Sequence, residues 1–295
     1  VLFIPAHVLP FFSPKNSVVA VHGLEYKYLP EHYSFWRRLY LRWSTKHAAR
    51  CAKKIIAVSE NTKNDLVKLY GINEGKIGVA YHGVEQNYCL SEISRSEMES
   101  KANLAPHPST RPVLTGLAQG IINPYLLYLG RLETKKNVQG ILEAYKILKE
   151  KYQIPHQLVL AGAPGFGYKN LKSKIENCKL KIIELGYISE DEKRQLLSNA
   201  DVFLFPSLYE GFGLPILEAQ AAGAPVVTSF NSSMPEVAGK GALSINPRNP
   251  TQIAEAVFQI IDEPILRDKL IQSGKENIKR FSWEKCARET LKMLL

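Results

Sequence analysis

Short apolar runs alternate with amphipathic segments through the second half of the chain. Residues 125–130 (YLLYLG) and 157–162 (QLVLAG) have the length and composition of buried strands. Between them, residues 138–151 carry apolar side chains at helical spacing. Further short apolar runs occur at 181–186, 201–206 and 224–229. The segment SEDE at 189–192 has the spacing of a capping box at a helix start. Repeated strand–helix units with short connections predict a parallel sheet covered by helices on both faces.

The first half of the chain shows the same alternation of predicted strands and helices, in fewer units. Strands are expected at 16–22, 54–59 and 76–83, with one helix at 34–51 and another that ends at Gly71. Polar, irregular residues with three prolines separate the two halves at 86–122. The pattern therefore predicts two α/β domains joined through this segment.

Size and composition are those of an ordinary soluble globular protein. The chain has 295 residues, of which 45% are hydrophobic and 22% charged, and no run approaches the roughly 20 uninterrupted apolar residues of a membrane span. The first residues, VLFIPAHVLPFF, lack a basic segment and a small-residue cleavage site, so they do not predict a signal peptide. A starting methionine is also missing, which indicates a chain that begins inside a longer gene product.

The cysteines indicate a reducing compartment. Cys51, Cys89, Cys178 and Cys286 lie far apart, and neither a CxxC pair nor a cysteine–histidine cluster with zinc spacing occurs. We interpret them as reduced thiols of a cytoplasmic protein.

The net charge of +10 favours anionic partners, and much of the surplus lies in residues 35–54. As a helix, this segment places Phe35, Leu39, Trp43, His47 and Cys51 on one stripe. Two interpretations remain open. The helix lies on an anionic membrane surface, or it packs its aromatic stripe on a sheet and leaves a basic face in solvent. No nucleic-acid-binding motif occurs, so nucleic acid is not an expected partner.

Residues 205–229, FPSLYEGFGLPILEAQAAGAPVVTS, contain the strongest chemical signal. Pro215 suits the first turn of a helix, and Gly223 suits its end. The amides of residues 211–214 therefore approach a helix N-terminus, where free N–H groups and the positive end of the dipole can bind a phosphate. The dipole alone contributes about 0.3–1 kcal/mol, so further donors or cations are expected nearby.

Glu210 and Glu218 stand on either side of this turn. Neither carboxylate is favoured beside a phosphate unless it hydrogen-bonds another group, and a carboxylate can accept two neighbouring hydroxyls of a ribose or a sugar. The pair therefore suits a nucleotide-sugar, which carries a ribose at one end of its diphosphate and a hexose at the other. Alternatively, Glu218 is a surface helix residue and Glu210 a turn residue, and spacing alone does not decide between the two.

Candidate cations lie in GRLETKKN, residues 130–137, directly after a predicted strand. Ligands of parallel sheets bind at the carboxyl ends of the strands, where Arg131 and Lys136 can both reach a diphosphate. They are equally compatible with solvated loop cations. The sequence lacks a correctly placed GxGxxG, a Walker A motif and an Asp-x-Asp pair, so neither an NAD site nor a metal-held diphosphate is indicated.

Longer segments, taken in order, match one known family. They are GRLETKKN, LVLAG, LGYISEDE, ADVFLFPSLYEGFGLPILEAQAAGAPVVTS and MPEVAGKGAL in the second half, VAVHGLEY, IIAVSENTKNDL and AYHGVE in the first, and FSWEKCARETL at the end. This series resembles family-4 glycosyltransferases, retaining enzymes of the GT-B fold. The resemblance implies two Rossmann-like parallel-sheet domains, an acceptor domain at 1–118 and a donor domain at 119–278. It also implies a C-terminal helix at 279–295 that packs back on the first domain.

The resemblance implies a set of residues for the phosphates of the donor. Arg131 and Lys136 are expected to contact the diphosphate. The amides of Phe212, Gly213 and Leu214 are expected to face the distal phosphate.

It implies a second set for the rest of the donor. Glu218 is expected to take the ribose hydroxyls and Glu210 the hydroxyls of the transferred sugar, near the reacting carbon. Tyr187 and Ile188 match positions that pack the base. His22 matches an active-site histidine that faces the donor sugar from the first domain; the alternative is a strand-end histidine with a structural hydrogen bond.

The chain departs from the family pattern in two places. Many relatives have His-Asp-Leu where this chain has His22-Gly23-Leu24, which removes the role of the aspartate. Relatives also begin with earlier strands, so the first domain is expected to be truncated or completed by another chain. Ser233 and Glu236, which have capping-box spacing, are interpreted as structural.

The expected reaction moves a hexose, with mannose favoured, from a GDP- or UDP-linked sugar to an acceptor hydroxyl. Anomeric configuration is retained, and no cofactor or metal is expected. The acceptor is a sugar, a glycan or a lipid-linked glycan, as in polysaccharide, lipopolysaccharide or glycolipid synthesis. The location is cytoplasmic, with peripheral contact to the inner face of the membrane. Two alternatives are a non-catalytic nucleotide-sugar-binding fragment and a GT-B relative that performs epimerisation or phosphorolysis. Phosphorolysis is disfavoured because the sequence context of a pyridoxal lysine is missing.

Overall fold

Two parallel β-sheets, one in each half of the chain, confirm the predicted α/β architecture. The computed structural model describes residues 1–6, 8–85 and 124–295. The segment 86–122, the predicted domain limit at 118 and Cys89 lie outside the described residues. The limits of the domains therefore stay predictions.

The first sheet has four parallel strands in the order β1-β2-β3-β4. The strands are β1 (Leu2–Ile4), β2 (Ser17–Val21), β3 (Lys54–Ala57) and β4 (Ile77–Val79), and the helices are α1 (Glu25–Tyr28), α2 (Phe35–Cys51) and α3 (Glu60–Tyr70). The apolar pattern of the first residues did not indicate β1. Its three residues become a strand through pairing with β2, which is a tertiary contact.

The second sheet has six parallel strands in the order β10-β9-β8-β5-β6-β7. They are β5 (Tyr125–Leu129), β6 (Gln157–Ala161), β7 (Ile182–Gly186), β8 (Val202–Phe205), β9 (Val226–Ser229) and β10 (Ala242–Ile245). The chain winds outward from β5 through β6 to β7, and then from β8 through β9 to β10. This reversal leaves a crevice between the carboxyl ends of β5 and β8, which is where parallel sheets bind ligands.

Helices cover both faces of the second sheet. They are α4 (Val138–Glu150), α5 (Tyr168–Glu176), α6 (Glu190–Asn199), α7 (Leu214–Ala221), α8 (Met234–Ala238), α9 (Pro250–Asp262) and α10 (Pro264–Ile278). One hydrophobic layer joins α4, α5 and α9 to the sheet, and the other joins α6, α7 and α8 to the opposite face. The predicted capping box at the start of α6 is confirmed, with Ser189 and Glu192 each bonded to the backbone of the other.

Helix α2 buries a different face from the one expected. Its buried residues are Ser44, Thr45, Ala48 and Ala49. The aromatic stripe is instead open, with Phe35 at 62%, Leu39 at 48% and Trp43 at 49% exposed. The interpretation that the stripe packs on a sheet is therefore wrong. Small side chains let the helix approach its neighbours closely, and the large rings are left outside.

Helix α11 (Trp283–Leu294) follows the second domain in sequence but lies against the first sheet. Its Cys286, Met293 and Leu294 pack on a buried cluster that contains Val18 and Ile56 of β2 and β3. The last helix therefore ties the two halves of the chain together. Within the described ranges, no helix combines the length and the apolar character needed to cross a membrane.

Candidate functional site

The glycine-rich turn after β8 leads directly into α7 at the crevice. Gly213 precedes the helix with φ 111°, and Pro215 lies in the first turn. A backbone with this positive φ favours glycine. Pro215 lines a cavity together with Arg131 and Lys136. The N-terminus of α7 therefore opens toward the two cations that the sequence predicts for a diphosphate.

Serines before α8 hold this turn in place. The Ser233 hydroxyl lies 2.9 Å from the carbonyl oxygen of Glu210 and 2.7 Å from that of Phe212, to which it donates. Ser232 Oγ accepts from the Glu210 N–H at 3.1 Å. The capping box that the spacing of Ser233 and Glu236 suggests does not form, since Ser233 makes no side-chain bond to α8. Its hydroxyl is engaged by the turn instead. Both side chains are nevertheless structural, as interpreted, because they bond backbone groups of other segments.

Lys136 and Glu210 form an ion pair across the crevice. Lys136 Nζ donates to Glu210 Oε1 at 2.6 Å, and the two side chains are only 16% and 12% exposed. Lys136 Nζ also lies 5.4 Å from the centroid of the Phe205 ring at the end of β8. The structure thus brings together two residues that were predicted for different parts of one ligand. A phosphate that pairs with Lys136 can free the Glu210 carboxylate to accept hydroxyl groups.

A cavity of about 380 Å³ adjoins this pair, and both domains line it. The second domain contributes Arg131 and Lys136, and the first domain contributes Tyr33 and Arg37. Burial raises the pKa of Tyr33 to about 12, so the phenol is neutral. Neither Tyr33 nor Arg37 was among the sequence candidates. No local pattern indicates that the first turn of α2 meets the loop after β5.

Tyr187 and Ile188 precede α6, and Glu218 lies on α7. Like Phe212, Gly213 and Leu214, they do not line this cavity. Glu218 Oε1 accepts from Lys193 at 2.9 Å, and Lys193 also pairs with Glu190 at 2.6 Å. Tyr187 is 84% exposed, and Ile188 packs on the hydrophobic layer below it. Their roles toward ribose and base stay predictions.

His22, at the carboxyl end of β2, faces the glycine-rich turn from the first domain. A Cβ added at Gly211 would lie 1.5 Å from the His22 carbonyl oxygen, so only glycine permits this approach. The His22 ring is exposed, and its Nε2 lies 2.7 Å from the carbonyl oxygen of Pro5. The first domain therefore places a histidine beside the turn, as the resemblance implies, while its chemical role stays a prediction.

His82 is a further residue at this junction that the sequence reasoning missed. Its ring stacks on His22 with centroids 5.5 Å apart and meets Phe212 edge-on at 5.1 Å. Burial, followed by the neighbouring His22, lowers the pKa of His82 to about 4, so its ring is neutral at physiological pH. Its position near the end of a predicted strand, like that of His22, is the sequence feature that could have indicated it.

Helix α3 connects the first domain to the same turn. Ser59 Oγ donates to the carbonyl oxygen of Gly211 at 2.7 Å. The Glu236 carboxylate accepts from the N–H groups of Glu60 at 2.7 Å and Asn61 at 3.0 Å. A carboxylate of the second domain thus satisfies free amides at the N-terminus of α3, where the helix dipole favours negative charge. The domains meet at the turn that carries the predicted site.

A second cavity, of about 500 Å³, lies on the other side of the loop after β5. Residues at the starts of α4, α5 and α9 line it, together with Arg248. None of the residues predicted for the donor or for catalysis lines this second cavity.

The groups around the first cavity suit a charged ligand that also carries hydroxyls. Arg131, Lys136 and the amides at the start of α7 can hold a phosphate. The Glu210 carboxylate can accept sugar hydroxyls. His22 of the first domain lies beside the turn but does not line this cavity.

Two family models match the chain. The model of glycosyl transferases group 1 matches residues 122–277, which is more than half of the chain. The model of glycosyltransferase family 4 matches residues 3–88.

Curated relatives extend this match. O-antigen chain mannosyltransferase B of Escherichia coli is 29% identical over 288 residues, which cover 95% of this chain and 71% of that protein. O-antigen chain mannosyltransferase RfbU of Salmonella typhimurium is 25% identical over 260 residues, which cover 88% of this chain and 64% of that protein. The chain therefore spans about two thirds of the length of these relatives.

Solved structures show the same architecture. Anabaena HepE, crystallised with UDP and glucose, superposes with a TM-score of 0.73 at 20% identity, over 95% of this chain and 71% of that chain. A sucrose-phosphate synthase from Thermosynechococcus elongatus gives a TM-score of 0.73 at 20% identity, over 96% of this chain and 68% of that chain. These likenesses confirm the predicted GT-B fold.

Proposed function

This chain belongs to the glycosyl transferases group 1, and we propose that it moves a hexose from a nucleotide-sugar to an acceptor hydroxyl with retention of anomeric configuration. The observation that carries the proposal is the Lys136–Glu210 ion pair, 2.6 Å long, beside Arg131 and the start of α7. A nucleotide-sugar has the matching parts, because its diphosphate suits the cations and amides and its sugar suits the carboxylate.

In the proposed mechanism, negative charge develops on the distal phosphate as the bond to the sugar breaks. Cations and amides already oriented toward that position stabilise the transition state without reorganising. Arg131, Lys136 and the amides at residues 212–214 fill this role. The acceptor hydroxyl attacks from the face on which the diphosphate leaves, and its proton passes to the leaving phosphate oxygen. No protein nucleophile is then required. Glu210 orients the sugar through its hydroxyls, and His22 faces the sugar from the first domain.

Mannose from GDP-mannose is the favoured donor. The support is that the Escherichia coli and Salmonella relatives are named O-antigen chain mannosyltransferases. These names also favour a role in polysaccharide or lipopolysaccharide synthesis, with a sugar, a glycan or a lipid-linked glycan as acceptor. The presence of UDP and glucose in the Anabaena structure keeps UDP-linked sugars as the second choice.

We further propose that no metal ion or other cofactor takes part. The support comes from the sequence, in which the aspartates are isolated from one another and form no Asp-x-Asp pair. Turnover is then expected to be unchanged when EDTA is added. A loss of turnover that is restored by Mg²⁺ or Mn²⁺ would show that this part of the proposal is wrong.

Lys136→Ala and Glu210→Ala test the assignment of the site. Each is expected to lower kcat by about 100-fold or more, the usual effect of removing one group that stabilises the developing charge. The matched control is the Lys172–Glu184 pair on α5 and β7, which has the same 2.6 Å separation but lies outside the site. Lys172→Ala and Glu184→Ala should leave turnover unchanged. Near-normal turnover in both site variants, with the fold intact, would refute the assignment.

A thermal-shift panel with UDP, GDP, ADP and their sugars identifies the donor. A ligand at about 100 times its Kd stabilises the protein by about 2.7 kcal/mol, which is readily measured. Binding of a nucleotide-sugar with neither transfer nor hydrolysis would instead favour the non-catalytic alternative. A lack of response to every nucleotide would contradict both.

We also propose that α2 contacts the surface of an anionic membrane from the cytoplasmic side. Trp36 is 76% and Phe12 is 91% exposed, and Phe11 stacks on Trp43 with ring centroids 6.4 Å apart. Residues 35–54 contain seven Lys and Arg and no Asp or Glu. Exposed aromatic rings insert at the level of lipid headgroups, and the surrounding cations attract anionic lipids.

Vesicle flotation tests this contact. Vesicles that contain phosphatidylserine should bind the protein at low salt, whereas vesicles of phosphatidylcholine alone should bind it weakly. A Trp36→Ser, Trp43→Ser variant should lose about tenfold in binding, since two interfacial rings are removed. Ile265→Ser on α10, which is 86% exposed, is the control. Equal binding by all three proteins would reject α2 as the contact.

A further inference from the structure

Two arginines from opposite domains face the 380 Å³ cavity. Arg37 lies in the first turn of α2, and Arg131 directly follows β5. Both are exposed. The Arg37 guanidinium lies over the Tyr33 ring, 5.6 Å from its centroid, and this contact holds it at the cavity wall. His32 also lines the cavity, but burial lowers its pKa, so it adds no charge at neutral pH.

The lysines of this cavity already have carboxylate partners. Lys136 pairs with Glu210 at 2.6 Å. Lys135 lies 3.6 Å from Glu133 and 3.8 Å from Glu25. In the ranges that the structure describes, Arg37 and Arg131 form no ion pair of this kind. The two guanidiniums therefore carry the uncompensated positive charge of the cavity.

We propose that Arg37 and Arg131 together bind one phosphate-bearing group, which bridges the two domains. A guanidinium binds phosphate oxygens through two parallel N–H groups, so each arginine can donate two hydrogen bonds to one side of the anion. The two positive charges match the two negative charges of a nucleotide-sugar diphosphate. A phosphate on the acceptor has the same chemistry and is the second source. Naming the donor as the source rests on the proposed function, whereas the anion site rests only on the cavity and its charges.

Binding of the anion also has a consequence for the domain arrangement. Without a ligand, two like charges that face one cavity disfavour close approach of the domains. An anion between them replaces repulsion with two attractive contacts. Arg37 therefore couples binding in the second domain to the position of α2 in the first. None of the other donor residues predicted for the phosphates belongs to the first domain.

Calorimetric titrations without lipid test this site on the full chain. The probes are inorganic pyrophosphate, UDP and GDP, and the variants are Arg37→Ala and Arg131→Ala. Each variant is expected to weaken binding of pyrophosphate and of the preferred nucleotide by about 10- to 100-fold, the usual effect of losing a charged hydrogen-bonding partner. Arg37→Lys should recover part of this loss, because it keeps the charge but not the planar fork.

The control is Arg248→Ala. Arg248 is an exposed arginine that lines the 500 Å³ cavity instead, so this variant removes one positive charge without touching the proposed site. It should bind all three probes as the unmodified protein does. If Arg248→Ala lost as much affinity for the probes as Arg37→Ala, the net charge of the protein and not the proposed site would set the affinity. That result would overturn the proposal.

The remaining outcomes separate the two sources of phosphate and the two proposals. If Arg37→Ala binds UDP and GDP normally but loses inhibition by hexyl phosphate, a soluble phosphomonoester, the acceptor is the source. If pyrophosphate binding depends on Arg37 but neither nucleotide binds, the anion site holds and the proposed donor is wrong. If Arg37→Ala binds pyrophosphate, UDP, GDP and hexyl phosphate as the unmodified protein does, the proposal is overturned. Circular dichroism of each variant checks that the fold is retained.

Discussion

Replacing Gly211 by alanine should separate the two domains at the glycine-rich turn. The added Cβ would lie 1.5 Å from the His22 carbonyl oxygen and 3.0 Å from the Gly23 Cα, whereas ordinary contact begins at 3.4 Å. The backbones must therefore move apart by about 2 Å. Gly211 does not have a positive φ, so alanine meets no conformational strain of its own. The neighbouring domain is the obstacle.

The cost follows from the contacts at this turn. Ser59 and Thr62 donate hydroxyl hydrogen bonds to the Gly211 carbonyl oxygen at 2.7 and 3.3 Å. Each is worth about 0.5–1.5 kcal/mol, and overpacking costs about 1–3 kcal/mol. We expect the free energy of unfolding to fall by about 2–4 kcal/mol and the Tm by about 5–10 °C. Turnover should fall by about 100-fold, because a shift of 1 Å in a reacting geometry has effects of that size.

Thermal unfolding and turnover of Gly211→Ala and Gly75→Ala provide the measurement. Gly75 lies in the 3₁₀ turn Glu74–Lys76, where the nearest atom to an added Cβ is the side-chain oxygen of Asn73 at 3.2 Å. Gly75→Ala should therefore be neutral or slightly stabilising. If Gly211→Ala matched this control in both Tm and turnover, the close approach of the domains at Gly211 would be refuted.

Two further predictions concern the same junction. Glu236→Gln should lower the free energy of unfolding by about 1–2 kcal/mol in urea titrations, since its charged bonds to the α3 amides become neutral ones. Glu276→Gln, which changes an exposed pair with Lys279, should have little effect, and equal losses in both would contradict the role of Glu236. His82→Asn should reduce the fall in the free energy of unfolding that occurs as the pH is lowered below 6.5. The pKa of His82 is lowered to about 4 in the folded state, so the unfolded chain binds a proton at a higher pH than the folded chain does. The contribution of neutral His82 to the free energy of unfolding is therefore fully present above pH 6.5 and is lost as the pH falls from 6.5 to about 4. Urea unfolding at pH 7 and pH 4.5 measures it, and an unchanged slope in the variant would rule the histidine out.

The elements of the second domain follow closely from local pattern. Strands β5, β6 and β8 are short apolar runs, and α4 has helical spacing of its apolar residues. The capping box at Ser189 and the Gly213–Pro215 entry to α7 also follow from residue type and spacing. These features depend on backbone bonds and on side chains within a few residues of one another. Such interactions are specified locally.

Helix α2 shows where local pattern fails. Its aromatic stripe has the spacing of a core face, yet Ala48 and Ala49 are buried and Trp43 is half exposed. The sequence shows which residues share a face of a helix, but the neighbouring element decides which face is covered. The local pattern did not predict strand β1 for the same reason, because its three residues form a strand only through pairing with β2.

The sequence by itself determined the βα order, the glycine-rich approach to α7 and the resemblance that assigns Glu210 and Lys136 to one ligand. Only the tertiary structure showed that these two side chains pair at 2.6 Å and that Arg37 of the first domain shares their cavity. It also showed that Glu236 caps a helix of the other domain. These contacts join residues between 74 and 176 positions apart. Local propensity carries no information about them, since they depend on how two sheets and their helices pack.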